Sequence, residues 1–215
     1  MKITSLIHKN SRVQVFIDEK YSFSCSVNFV IENQLHIGQI LNDENLEKLR
    51  RLAYESIIKQ KLVEYVYSGN YSKKELFRKI NNYSKRRYNL EPESEIFEKK
   101  FKELIESRIY VEKTIISNLI NLYLSKSKGK NFIIQKLIQK GFAKQDFGEI
   151  LGEFDNKSLN KKLKGYIEKK FESVKNRAKD KYDLKQKLTT AAMSRGFDYK
   201  EIKVEVEKII KEKYL

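Results

Sequence analysis

The sequence predicts a mainly α fold with a small antiparallel β segment at its N-terminus, and three observations carry that expectation. Residues 2–7, 12–17 and 21–26 form three short runs rich in Ile, Val, Phe and Tyr, separated by the turn-forming stretches Lys9-Asn10-Ser11 and Asp18-Glu19-Lys20. From Leu46 onward, apolar residues recur at helical spacing. A pattern returns within that helical region: Lys140-Gly141-Phe142 is matched 55 positions later by Arg195-Gly196-Phe197.

The strand runs read as a meander in which Val13, Val15 and Ile17 share one face and Tyr21, Phe23 and Cys25 another. Cys25 reads as a packed small apolar residue, since neither His8 nor His36 stands near it to activate a thiol. Residues 27–31 suit one or two helical turns, 35–39 a turn, and Asn42-Asp43 the cap of the first long helix.

That helix presents Leu46, Leu49, Leu52, Ala53, Ile57, Val63 and Val66, and it stops at Ser68-Gly69-Asn70. Ser72 with Glu75 three residues on is a capping box, opening a helix with Leu76, Phe77, Ile80 and Tyr83. Pro92 suits the first turn of a helix running through Phe97, Phe101 and Leu104. A second triplet follows at 115–123, 131–140 and 144–154, and a third at 159–174, 184–195 and 199–213.

The repeated turn joins the second and third helices of the last two triplets. Gly141 and Gly196 supply the left-handed residue that ends a helix, and Phe142 and Phe197 pack back over the turn. At the same offset Ile133 meets Leu188, Phe147 meets Ile202, Leu151 meets Val206 and Phe154 meets Ile209. Two unrelated helical hairpins are the alternative, since glycine stops are common, and the shared spacing on both sides of the glycine favours a repeat over them. The expected architecture is therefore three tandem three-helix repeats forming an elongated curved solenoid: 1–44 β segment, 45–109, 110–155 and 156–215 helical repeats.

A single cysteine excludes an internal disulfide framework and fits a reducing, cytoplasmic setting, and no apolar run approaches the length of a membrane span. The formal net charge of +16 points to a polyanionic partner, although a solvated basic face has the same composition. The four segments carry nets of −1, +6, +2 and +9, so a polyanion is expected to meet the helices, above all the last third.

Catalytic chemistry finds no support. The two histidines stand far apart with no ligand-spaced cluster, and Gly129-Lys130 lacks the flanking residues of a phosphate-binding loop. No enzyme, metal or cofactor is expected. Most aromatics fall on apolar stripes, with Tyr88 and Tyr199, at turns, the better candidates for stacking on bases.

Four stretches in order, LHIGQIL (35–41), YSGNYSKKEL (67–76), SKGKNFIIQKLIQKGF (127–142) and LKQKLTTAAMSRGFDYKEI (184–202), resemble the bacterial RecX proteins, regulators of the recombinase RecA. The resemblance covers essentially the whole chain. Residues 109–112 depart from it, lacking the acidic pair and aromatic that usually open the family's second unit, and the connection at 85–95 is long. The resemblance implies a monomeric regulator in recombination, DNA repair and the SOS response, lying along the RecA filament and inhibiting its ATPase, strand exchange and growth. Its partners would be the filament and, weakly and electrostatically, single-stranded DNA, with no membrane. The contact candidates are Lys128, Lys130, Lys136 and Lys140 beside one turn and Arg195 and Lys200 beside the other; Lys140 and Arg195 would equally complement helix C-termini. The alternative is a basic helix-turn-helix-like protein acting on DNA without RecA, against which Asp146, Glu149 and Glu153 on the helix at 144–154 stand.

Overall fold

Two tight reversals set the N-terminal sheet. Asn10 (φ 57°) lies between β1 (Ile3–Lys9) and β2 (Arg12–Ile17), while Asp18 (φ 46°) and Glu19 (φ 67°) form the link to β3 (Lys20–Cys25). Left-handed backbone at both Asp18 and Glu19 matches the twist of the paired strands, and the short polar side chains of Asn10 and Asp18 tolerate that conformation. The strands pair antiparallel in the order β1-β2-β3. The computed structural model describes residues 1–88, 94–153 and 156–213; the helix start assigned to Pro92 and the apolar position Phe154 lie outside the described residues.

One irregularity changes the face of a side chain. Phe23 pairs with Val15, yet Tyr21 pairs with Phe16, so Ser22 is an extra residue in β3. Alternation restarts across such a bulge. Phe23 and Cys25 therefore point into the core, whereas Tyr21 is 52% exposed and meets Phe16 edge-on, with ring centroids 6.0 Å apart. The shared face expected for Tyr21, Phe23 and Cys25 holds only beyond the bulge.

Helix α1 (Val27–Glu32) starts where the Ser26 hydroxyl accepts the Phe29 amide, and α2 (Asp43–Ser68) where the Asn42 side chain accepts the Asn45 amide at 2.8 Å. Under the sheet, Ile3, Val13, Val15 and Cys25 join Phe29, Leu35, Leu46 and Ala53 in one core. Each fully buried aliphatic side chain there contributes about 1.5–3 kcal/mol relative to exposure. Helix α2 packs against β3 and also against α4 (Ser94–Glu106), so its buried face is broader than a single stripe. Ile58 and Leu62 are buried, and Leu52 is 37% exposed.

The same double cover buries Glu55, which is 5% exposed. Lys99 and Lys100 of α4 reach its carboxylate at 2.9 and 3.2 Å, and Lys100 continues to Glu103 at 2.9 Å. Desolvation pushes the carboxyl pKa up, but hydrogen bonds and charge from the two lysines outweigh it and hold the group below its usual value.

The remaining helices are α3 (Lys73–Tyr88), α5 (Glu112–Ser125), α6 (Lys130–Lys140), α7 (Lys144–Glu153), α8 (Asn156–Val174), α9 (Lys181–Met193) and α10 (Tyr199–Lys213). The chain forms two bodies, Met1–Gly69 with Leu76–Tyr110, and Asn70–Glu75 with Val111–Leu215. In the second, α5 packs against α6 and α7. Leu163, Ile167 and Phe171 of α8, Leu184, Leu188 and Ala192 of α9 and Ile202, Val206 and Ile209 of α10 close a further core around Phe197. Their i, i+3 and i, i+4 spacing places each set on one helix face.

Candidate partner-binding surface

Helix α6 begins without a side-chain cap, because its N-cap is Gly129. Its first amides are satisfied by the turn that ends α9: the Gly129 and Asn131 amides donate to the Arg195 and Gly196 carbonyls at 2.9 and 3.0 Å. Only glycines permit this approach. A side-chain carbon on Gly129 would lie 2.3 Å from the Gly196 carbonyl oxygen, and one on Gly196 would lie 2.4 Å from the Phe132 nitrogen. Gly196 also holds φ +82°, in the left-handed region. Phe197, the next residue, is buried.

The joint crowds positive charge. Lys128, Phe132 and Lys136 follow one another at four-residue intervals, and both ammonium groups lie over the Phe132 ring, with Nζ 4.2 and 5.6 Å from its centroid. Arg195 stacks on Tyr166 of α8 at 5.0 Å, and its guanidinium donates to the Lys126 carbonyl at 3.4 Å. Burial lowers the pKa of Lys128, and the charges of Arg195, Lys136 and Lys126 push it the same way. Cations held this close repel one another, and an anion placed among them relieves both the repulsion and the desolvation.

The other basic candidates sit elsewhere. Lys130 is exposed on the first turn of α6. Lys140, at the opposite end of that helix, grips the Glu75 carboxylate at 2.7 and 2.9 Å, and its carbonyl accepts the Ser72 hydroxyl. There the chain turns at Gly141 (φ +99°), whose amide donates back to Leu137 and Ile138, and Phe142 is buried behind it. Lys200 is exposed at the start of α10 and lines a depression shared with Glu201 and Glu205. Lys126 escaped the sequence reading; its place in the alternating run Lys126-Ser127-Lys128-Gly129-Lys130 was the signal.

Among the described residues no group of three or more His, Cys, Asp and Glu side chains could hold a metal ion, and no helix is long and apolar enough to cross a membrane. The geometry supports ionic and aromatic binding of a partner.

Comparison with known proteins gives a consistent set of likenesses. Residues 1–42 match the family model described as the N-terminal domain of the regulatory protein RecX. A "Regulatory protein RecX" of Clostridium acetobutylicum is 25% identical over 98% of this chain and 96% of its own length. Another, from Clostridium perfringens, is 27% identical over 92% and 91%. In architecture, a crystal structure of regulatory protein RecX superimposes with a TM-score of 0.68 at 18% identity, covering 99% of each chain. The RecX of Lactobacillus salivarius gives 0.62 at 15%, covering 72% of this chain and 96% of its own.

Proposed function

Since this chain belongs to the RecX family of regulatory proteins, we propose that it binds the RecA nucleoprotein filament and restrains it, lowering ATPase activity, strand exchange and filament growth. The observation that carries this is the crowded cation group at the α6–α9 joint, where Lys128 and Lys136 share the Phe132 ring, Arg195 reaches the Lys126 carbonyl, and Arg195, Lys136 and Lys126 all repel the Lys128 charge. A nucleoprotein filament carries a regular array of phosphate charge, the kind of partner such a group attracts. The helix triplets 45–109, 110–155 and 156–215 serve as successive units of that interaction, the protein acting as a monomer in the cytoplasm with only a weak, salt-sensitive attraction for single-stranded DNA. No enzymatic step is assigned to it.

The test is ATP hydrolysis by RecA on single-stranded DNA, with this protein added below stoichiometry. Inhibition by the wild type, lost in the variant Lys128→Glu/Lys130→Glu/Lys136→Glu while helicity and melting temperature hold, supports the assignment. Full inhibition by that folded variant rejects the surface. Duplex binding with sequence preference in the absence of RecA would favour a transcriptional role instead; the acidic groups on α7, where Asp146 accepts the Ala143 amide at 3.1 Å, suit a major groove poorly.

A further inference from the structure

The first body carries its own basic and aromatic groove, far along the chain from the α6–α9 joint. Three adjoining depressions share their walls. The largest, a cavity of about 490 Å³, lies between β2–β3 and α2–α3, with Arg12, Arg50 and Arg87 set among Tyr21, Tyr54 and Tyr88. The second shares Arg12 and Arg87 with it and adds Lys9, Lys61 and Tyr83. The third shares Tyr83 and Arg87 with the second and adds Tyr65, Lys79 and Arg86. No Asp or Glu lines any of the three among the described residues.

Among the described residues, no acidic side chain pairs with the charge at the middle. Arg12 donates to the hydroxyls of Tyr88 at 2.8 Å and Tyr83 at 3.1 Å, neutral phenols where a carboxylate would be the usual partner. Burial pushes the Tyr88 hydroxyl up to about 12, so it stays a phenol. Arg86 and Arg87 form no ion pair among the described residues. Arg50 and Lys61 do have acidic neighbours, Glu47 and Glu64, outside the groove wall.

The rings are fixed before anything binds. Tyr88 stands edge-on to Tyr54 and Tyr83, with centroids 5.8 and 6.0 Å away, and the Tyr54 hydroxyl donates to Ser84 at 3.0 Å. Lys61 and Lys79 lie over the Tyr83 and Tyr65 rings. Half-buried rings next to guanidinium groups offer stacking faces for unpaired bases and donors for the phosphates between them. Three depressions in series match a run of nucleotides better than a single nucleotide.

We propose that this groove, centred on Arg12, Arg87, Tyr83 and Tyr88, is a binding track for single-stranded nucleic acid, with bases against the tyrosines and phosphates along the arginines. It is independent of the filament role. The test is fluorescence anisotropy of a labelled dT oligonucleotide of about twelve residues with the full chain, RecA being absent. Binding should fall with salt at a log–log slope near 0.7 per phosphate contact. Arg86→Gln/Arg87→Gln, both on the exposed side of α3, should reduce that slope by about 1.4. Tyr65→Ala should weaken binding about tenfold at fixed salt, with the melting temperature recorded alongside. Photocrosslinking of a 5-iodouracil strand should label Tyr54, Tyr65, Tyr83 or Tyr88.

Unchanged affinity and slope in the folded double arginine variant would overturn the proposal. So would equal affinity for duplex, or displacement of the strand by ATP as readily as by unlabelled dT, since either removes the need for a series of unpaired bases. Because RecA is absent, failure here leaves the filament role standing, and failure of the Lys128→Glu/Lys130→Glu/Lys136→Glu test leaves the groove standing.

Discussion

The Lys140 ammonium donates to both carboxylate oxygens of Glu75, at 2.7 and 2.9 Å, while Glu75 also accepts the Ser72 amide at 3.0 Å. One side chain thus completes a capping box and locks the last turn of α6 onto it. The pair is shielded, with side chains 22% and 18% exposed. Lys140→Met should therefore lower stability by about 1 kcal/mol, and RecA inhibition should fall only as far as the folded fraction falls. A selective loss of inhibition at unchanged melting temperature would instead make Lys140 a contact residue.

Glycine replacements should rank by what a methyl group meets. Gly196→Ala adds a left-handed backbone cost of about 1–2 kcal/mol to a clash with backbone 2.4 Å away, so it should be the most damaging. Gly141→Ala has comparable backbone strain but meets the flexible Lys74 side chain, and should cost less. Gly148→Ala in α7 meets nothing within 4 Å and should stabilise by up to about 1 kcal/mol. Thermal melts of the three variants check the order.

Glu55 should confer acid sensitivity. Its folded pKa is depressed, so its contribution is complete above the unfolded value of about 4.3 and is lost as pH falls through the lower folded value. Glu55→Gln should destabilise by about 1–3 kcal/mol at neutral pH and flatten the decline of melting temperature below about pH 4.5. A variant that keeps the wild-type acid profile would show that other carboxylates govern it.

Cys25 is fully buried, and burial raises its thiol pKa to about 11. A raised folded value means its contribution is intact below the unfolded thiol pKa of about 8.5 and declines as pH rises toward the folded one. At a pH of about 8 a thiol reagent should modify the native protein no faster than it unfolds, and should react at once in denaturant. Rapid labelling of the folded chain would contradict the packing.

Features that depend on a few neighbouring residues were readable in the sequence: the caps at Asn42 and Ser72–Glu75, the β-turn at Asp18-Glu19, and the small β segment ahead of a helical remainder. Those that depend on what lies across the core were not. Glu55 looks like a surface residue until α4 brings Lys99, 44 positions later, against it. Leu52 and Ile58 could not be ranked without knowing that α2 is covered twice. Tyr21 follows strict alternation in sequence, and only the register of β3 against β2 reveals the extra residue. The meeting of Lys128 with Arg195, and of Arg12 with Tyr83 and Tyr88, is tertiary in the same sense, for spacing within an element says nothing of which elements touch.

Since the first amides of α6 are held by the carbonyls of Arg195 and Gly196, the start of one helix has no independent existence from the end of another. The chain closes this loop across more than sixty residues, so the two elements form one cooperative opening unit. Deuterium uptake at Gly129 and Asn131 should follow the detachment of the turn after α9, and a chain cut ahead of α9 should fray at α6, at the very turn that carries Lys128.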